Sequence, residues 1–216
     1  TKDIGETKQP MDGLSLFYTD LDRSKVEVRR IPKMGREAVD SNQVFIDGLE
    51  IPVEDRIGEE GKGFRYLLDG INPERILIAA GLVGLGRVAL EKATKYARER
   101  VVFGRPIGQN QGIQHPLAQS WAELEAANLM AFRAAQLYDR GEDAGAMANA
   151  AKYLAGEAAF KACTVAVTTH GGMGYAKEYH VERYFRECII HRLAPITPHL
   201  ILCYIAERVL GLPKSY

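Results

Sequence analysis

Apolar positions recur with two different periods along the chain, and the change falls near residue 57. Before it the period is two. Leu14, Leu16 and Tyr18 alternate with Ser15, Phe17 and Thr19, Val26-Glu27-Val28-Arg29 alternates again, and Gln43-Val44-Phe45-Ile46 makes a third short run. Gly13, Asp22, Pro32, Gly35, Asp47-Gly48 and Pro52 punctuate these runs as turns. Three or four short strands are too few to close a sandwich or barrel, so residues 1–57 read as part of an antiparallel β-domain.

From about Gly63 the period becomes helical. A short helix is expected near Phe64–Leu68 and a long one from Pro73 to about Val101, broken by Gly104-Arg105-Pro106-Ile107-Gly108. A third runs from about Gln114 to Arg140, with Gly141 as its C-terminal stop. A fourth covers about Ala144 to Thr169, a fifth about Glu178 to His191. Pro195 and Pro198 frame a break before a last helix that ends near Gly211-Leu212-Pro213. Long helices with short links make an up-down bundle. The expected fold is therefore mainly α: a bundle of long antiparallel helices (58–216) preceded by a partial antiparallel β-domain (1–57).

Composition narrows the function classes. Lys plus Arg (28) equals Asp plus Glu (28), which removes the net electrostatic case for nucleic acid or a membrane surface. No apolar run reads as long enough for a spanning helix, and Thr1-Lys2-Asp3-Ile4-Gly5 has neither a signal core nor an Arg-rich pattern. Cys163, Cys188 and Cys203 are odd in number and far apart, and read as reduced intracellular thiols. His115, His170, His180, His191 and His199 lack metal-ligand spacing.

Three segments carry candidate chemistry. In Asn72-Pro73-Glu74-Arg75, Asn72 suits an N-cap and Pro73 the first helical position, so Glu74 projects from a first turn on the side of Ile78, Leu82 (or Gly81) and Leu85. A carboxylate against an apolar wall is a candidate general base, because desolvation raises its pKa; an acid in a first turn also complements the helix dipole, and both readings stand. Second, Arg100 and Arg105 flank a Gly/Pro turn followed by Gln109, Gln111 and Gln114, donors suited to phosphate and polar ring edges. Third, His170-Gly171-Gly172-Met173-Gly174-Tyr175 has more glycines than a helix stop needs, which suggests close approach by a helix or a ligand. Gly81, Gly84 and Gly86 lack the strand context of a dinucleotide fingerprint and read as close-packing positions between helices.

These motifs, in this order and spacing, resemble the acyl-CoA dehydrogenase family over essentially the whole chain. The matching runs are Gly61-Lys62-Gly63-Phe64, Glu74-Arg75, Tyr96 with Arg100-Val101-Val102-Phe103-Gly104-Arg105-Pro106-Ile107, and Gln111. They continue through Ala151-Lys152, His170-Gly171-Gly172-Met173-Gly174-Tyr175 and Glu182-Arg183-Tyr184-Phe185-Arg186. Gly13-Leu14-Ser15-Leu16-Phe17, Val44-Phe45 and Ile51-Pro52-Val53 resemble the family's middle β-domain. Members carry an N-terminal helical domain and a complete middle domain before these motifs. The resemblance thus implies that the chain is a fragment or truncated product of a larger subunit, weak or inactive by itself.

The resemblance also implies chemistry: FAD as cofactor, an acyl-CoA thioester as substrate, α-proton abstraction by a carboxylate and β-hydride transfer to the flavin, with electrons passed to an electron-transferring flavoprotein. Most members take the base from a Glu-Gly-Thr run after the fifth helix; counted from Arg186, that run reads Pro195-Ile196-Thr197 here. A minority, including the isovaleryl- and long-chain enzymes, takes it from the long helix before the Arg-x-x-Phe-Gly motif, where Glu74 falls. The resemblance therefore assigns the base to Glu74, with Arg75 orienting it. It puts Arg100, Phe103 and Gln111 near the FAD pyrophosphate and adenosine, and Thr168, Gly171 and Gly172 at the adenine end of a neighbouring subunit's FAD. Thr197 matches a flavin-contacting Thr, and His199 replaces its usual polar partner. Sharing FAD implies a homodimer or homotetramer, in the cytoplasm of a bacterium or the mitochondrial matrix of a eukaryote.

One departure bears on mechanism. In the family the main-chain N–H at the usual base position donates to the thioester carbonyl, and Pro195 has none. Either the loop is shifted by a residue, or Ile196 or Thr197 supplies the donor, or the contact is weakened, at a cost on the order of 3 kcal/mol. Two alternatives share the architecture: an acyl-CoA oxidase, and a noncatalytic bundle that only oligomerises.

Overall fold

A computed structural model describes residues 13–215, so the N-terminal reading at Thr1–Gly5 lies outside the described residues. The chain clusters into two compact units that part between Ile71 and Asn72.

In the first unit β1 (Leu16–Phe17) pairs antiparallel with β4 (Arg56–Ile57), and β2 (Val26–Arg30) with β3 (Asn42–Ile46). The second pair runs in register from Val26↔Ile46 to Arg30↔Asn42. Two-stranded sheets bury little. Val26 is the one fully buried apolar residue among those described in this unit, while Val44, Phe45 and Ile46 on β3 stay about half exposed. Gly63 opens α1 (Gly63–Glu99) and donates its N–H to the Leu14 carbonyl at 2.6 Å. A Cβ there would meet the backbone of Leu16 at 2.6 Å and of Leu14 at 2.8 Å, so only glycine fits.

The second unit is the bundle. It is built from α1 beyond Asn72, α2 (Gln111–Asp139), α3 (Gly145–His170) and α4 (Val181–Leu193), followed by α5 (Pro198–Tyr204), which runs on as a π-helical turn to Val209. Small residues let the helices approach closely. Ala79, Leu82, Val83, Ala89 and Ala93 of α1 meet Leu124 and Ala127 of α2 and a run of buried alanines on α3. Gly86 marks the tightest point: a Cβ would stand 2.5 Å from Leu124 Cδ2 and 3.3 Å from Ala159 Cα. Gly81 and Gly84 do not share that role; both face open space. Gly86 meets Ala159 and Tyr96 meets His170, so α1 and α3 run parallel. Short links then set α2 and α4 antiparallel to them. Cys163 of α3 and Cys188 of α4 are both buried; their mutual hydrogen bond and burial push the Cys163 thiol up.

Three sequence expectations need correction. Phe64–Leu68 and Pro73–Val101 are not two helices; α1 is continuous, with Pro73 inside it. Asn72 does not cap: its Oδ1 accepts from Arg75 Nη1 at 3.1 Å. The carbonyl that Pro73 leaves without a donor belongs to exposed Asp69, where water can meet it. Second, the break after α1 is a small hairpin, β5 (Val101–Val102) with β6 (Arg105–Pro106). Third, one stretch, Val181–Val209, is apolar and long enough to cross a membrane by length and composition. It spans α4 and α5, is interrupted at 194–197, and buries Val181, Cys188 and Ile201 in the protein. A non-helical break of this kind is not tolerated against lipid. Gly141 ends α2 as expected, at φ +69°, with its N–H on the Tyr138 carbonyl at 2.9 Å.

Candidate functional site

The N-terminal end of α3 collects buried polar groups. An alanine-rich helix packed on two sides leaves room for few large residues, yet Asn149 and Lys152 lie in its buried stripe, 2% and 1% exposed. Asn149 Nδ2 donates to the Gly145 carbonyl at 2.8 Å, and its Oδ1 has no partner among the described residues. Lys152 Nζ donates to two carbonyls, Ile196 in the loop after α4 at 2.7 Å and Arg192 in the last turn of α4 at 3.3 Å. Burial, then the nearby Arg75 charge, lowers the Lys152 pKa, with Glu157 opposing. The Arg75 pKa in turn is depressed by burial and supported by Tyr204 and Glu74; its Nε is buried without a partner among the described residues. Glu207 Oε1, one turn beyond Tyr204, is a third buried atom without one. Burying polar groups unpaired costs roughly 1–3 kcal/mol each.

Glu74 itself is exposed, one turn before the buried ridge of Ile78, Ala79 and Leu82. The apolar wall expected for it is not supplied by the described residues. Arg75 follows it in sequence and lies within electrostatic reach of Lys152, which donates to the Ile196 carbonyl of the Pro195-Ile196-Thr197 loop. Thr197 caps α5, its hydroxyl accepting from the Leu200 N–H at 3.4 Å, and His199 is exposed on α5.

The opposite end of the bundle holds the other candidates. Arg100 and Gln111 are exposed on either side of the β5–β6 hairpin. Phe103 and Gly104 form its two-residue loop at φ +51° and +78°, the pattern of a type I′ turn. A phenylalanine at positive φ is strained, and this one is 100% exposed. Tyr96 stacks on His170 at 4.3 Å, and Tyr179 meets both edge-on at 5.7 and 5.4 Å. With Lys92, Lys95, Glu99 and Glu178 they line a shallow cleft of about 200 Å³. Gly171 and Gly172 are exposed, with nothing where a Cβ would stand. The close approach that the glycine cluster suggested occurs at Gly174, whose Cβ would fall 2.2 Å from the Val167 carbonyl oxygen. The Thr168 hydroxyl turns back to its own helix, on the Thr164 and Val165 carbonyls at 3.1 Å.

The sequence candidates thus form two groups. Glu74, Arg75, Thr197 and His199 lie at one end, and Arg100, Phe103, Gln111, Thr168, Gly171 and Gly172 at the other. About 38 Å of α1 separates Glu74 from Glu99, more than an extended dinucleotide spans. Sequence reasoning singled out Lys152 only as part of a motif. Its signal was its place as the one long side chain among Ala148, Ala151, Ala155 and Ala159.

Comparison with known proteins bears on this arrangement. The family described as acyl-CoA dehydrogenase, C-terminal domain, matches residues 61–195. Acyl-CoA dehydrogenase fadE12 of Mycobacterium bovis is 41% identical over 209 residues, covering 96% of this chain and 51% of its own. The glutaryl-coenzyme A dehydrogenase glutaryl-CoA complex superposes with TM-score 0.89 at 34% identity, over 95% of this chain and 52% of that one. The FAD complex of PigA does so with TM-score 0.87 at 30% identity, over 92% and 52%. The chain spans about half the length of the relatives it matches. By sequence and by fold together, it belongs to the acyl-CoA dehydrogenase family.

Proposed function

We propose that this chain is the C-terminal part of an FAD-dependent acyl-CoA dehydrogenase whose base is Glu74. The observation that carries the reading is that Glu74 and Arg75 lie at the end of the bundle where buried Lys152 holds the Ile196 carbonyl of the loop in which Pro195 stands in place of the usual glutamate. Glu74 would take the α-proton of an acyl-CoA thioester, and main-chain donors of the 195–197 loop would hold the carbonyl on which charge gathers. FAD, when bound, supplies the acceptor for the β-hydride. Enclosure of Glu74 would come from substrate and from the remainder of a longer polypeptide.

The residues suit the cofactor. Phe103 holds an aromatic face in solvent at the cost of backbone strain, Arg100 offers a cation for a pyrophosphate, and Gly171 and Gly172 leave open backbone. Because these stand a helix length from Glu74, one copy's Arg100 and Phe103 would serve the flavin beside another copy's Glu74, in a homodimer or homotetramer. An electron-transferring flavoprotein would take the electrons.

The test is flavin bleaching by acyl-CoA in the full-length, FAD-loaded protein. Glu74→Gln should slow it about 1000-fold or more while FAD stays bound, in the range lost with a general base. Retained bleaching would remove Glu74 from the role. The exposure of Glu74 favours one rival, a bundle that oligomerises without redox chemistry; it requires a full-length protein with no flavin spectrum.

A further inference from the structure

Lys152 is the largest fully buried side chain among the described residues, and its hydrogen bonds go to main-chain carbonyls. A buried ammonium costs several kcal/mol of desolvation, and an apolar residue would fill the same space at no such cost. The contact has a directional consequence. The Ile196–Thr197 peptide is trans and planar, so its C=O and N–H point in opposite directions. Drawing the Ile196 oxygen onto Lys152 Nζ, inside α3, turns the Thr197 N–H away from α3. That N–H has no acceptor among the described residues, although the Thr197 hydroxyl is engaged with Leu200. A cation on the carbonyl also polarises the amide, which makes its N–H a stronger donor. Pro195, two residues earlier, has no N–H to give.

We propose that Lys152 is the positioning residue of the thioester site, and that the N–H it aims, that of Thr197, is the main-chain donor to the substrate's thioester oxygen. The proposal rests on the dehydrogenase reading above. Glu74 takes the α-proton, and the electron pair of that C–H bond moves toward the thioester, leaving negative charge on its oxygen. The Thr197 N–H stabilises that charge. The pair would then close the Cα=Cβ bond as the β-hydrogen leaves with its own electrons, for which FAD, when bound, would supply the acceptor. Lys152 touches neither substrate nor flavin and acts through one peptide plane.

The test is isotope-edited infrared spectroscopy of [1-¹³C]butanoyl-CoA on the full-length, FAD-loaded protein, beside single-turnover rates of flavin reduction. A donor on the thioester oxygen lowers its C=O stretch. Thr197 has φ −69°, which proline adopts, so Thr197→Pro and Thr197→Ala both lose the hydroxyl and only the first loses the N–H. We expect Thr197→Pro to return the bound carbonyl toward its free frequency and to reduce flavin roughly 100-fold more slowly than Thr197→Ala. Lys152→Met should lose part of the downshift at full FAD content, and Lys152→Arg should restore part of it. Equal frequencies and rates in Thr197→Pro and Thr197→Ala overturn the donor assignment; a wild-type downshift in Lys152→Met overturns the positioning role. Should Lys152→Met fail to fold, the Thr197 pair decides alone. A wild type with an unshifted thioester and no flavin reduction overturns the dehydrogenase reading, and this proposal with it.

Discussion

At its C-terminal end α3 buries His170; at its N-terminal end it buries Asn149 and Lys152. His170 is fully accommodated. Its Nδ1–H donates to the Ala166 carbonyl at 2.7 Å, and Tyr96 and Tyr179 cover its ring. The other end is left unfinished. Arg75 Nε and Asn149 Oδ1 lack partners among the described residues, and a buried ammonium sits near a guanidinium. The same helix therefore has one end arranged for stability and one that tolerates unfavourable burial, and such burial concentrates where chemistry is done. Four substitutions separate the two ends.

Gly174→Ala should be the most damaging to the fold. Its Cβ meets the Val167 backbone, which cannot swing aside as a side chain could, and a loss of about 3 kcal/mol is expected in urea unfolding. His170 gives the next effect, visible as a pH dependence. Burial lowers its pKa from the ordinary 6.5, with the Ala166 contact opposing and Lys92 adding to it. The unfolded chain thus binds a proton as pH falls through 6.5 while the folded chain does not. Stability should decline on acidification below that point and level off beneath the folded pKa; His170→Phe should remove that component from the melting temperature profile. Arg75→Met should show the reverse balance. Removal of a half-buried guanidinium with an unpaired Nε should change unfolding free energy by less than about 1 kcal/mol, while flavin reduction by acyl-CoA collapses. Gly172→Ala, in open space beside Gly174, should be the smallest, within about 0.5 kcal/mol. A destabilised Arg75→Met or a tolerated Gly174→Ala would break the contrast.

The bundle was legible because its signals are periodic and local. Helical spacing located α2, α3 and α4, and Gly141 stopped α2 as its chemistry requires. The misreadings arose where local and tertiary signals compete. Asn72-Pro73 carries the marks of a helix start, but α1 runs on through the proline, whose lost hydrogen bond leaves only the carbonyl of exposed Asp69 to water. Gly81 and Gly84 differ from Gly86 only in which side of the helix they occupy relative to Leu124 and Ala159, which a periodic pattern rich in small residues does not resolve. Lys152 stands in the sequence reading only within the Ala151-Lys152 run; the structure shows that it is enclosed. The spread of the site residues over both ends of the bundle was equally hidden, because a motif list carries order and not distance.

Arg192 is fastened to α3 at two points. Its guanidinium forks onto Glu157 at 2.6 and 2.9 Å and lies over Phe160 at 4.8 Å, while its carbonyl accepts from Lys152. Three residues later the chain reaches Pro195, so the loop departs from an anchored origin. A carboxylate at position 157 thereby helps hold the residue from which that loop sets out. If the dehydrogenase reading proposed above holds, exchange of Glu157 for an uncharged residue would surface in a screen as slow turnover in a soundly folded protein, and would be mistaken for a lesion in the reacting centre.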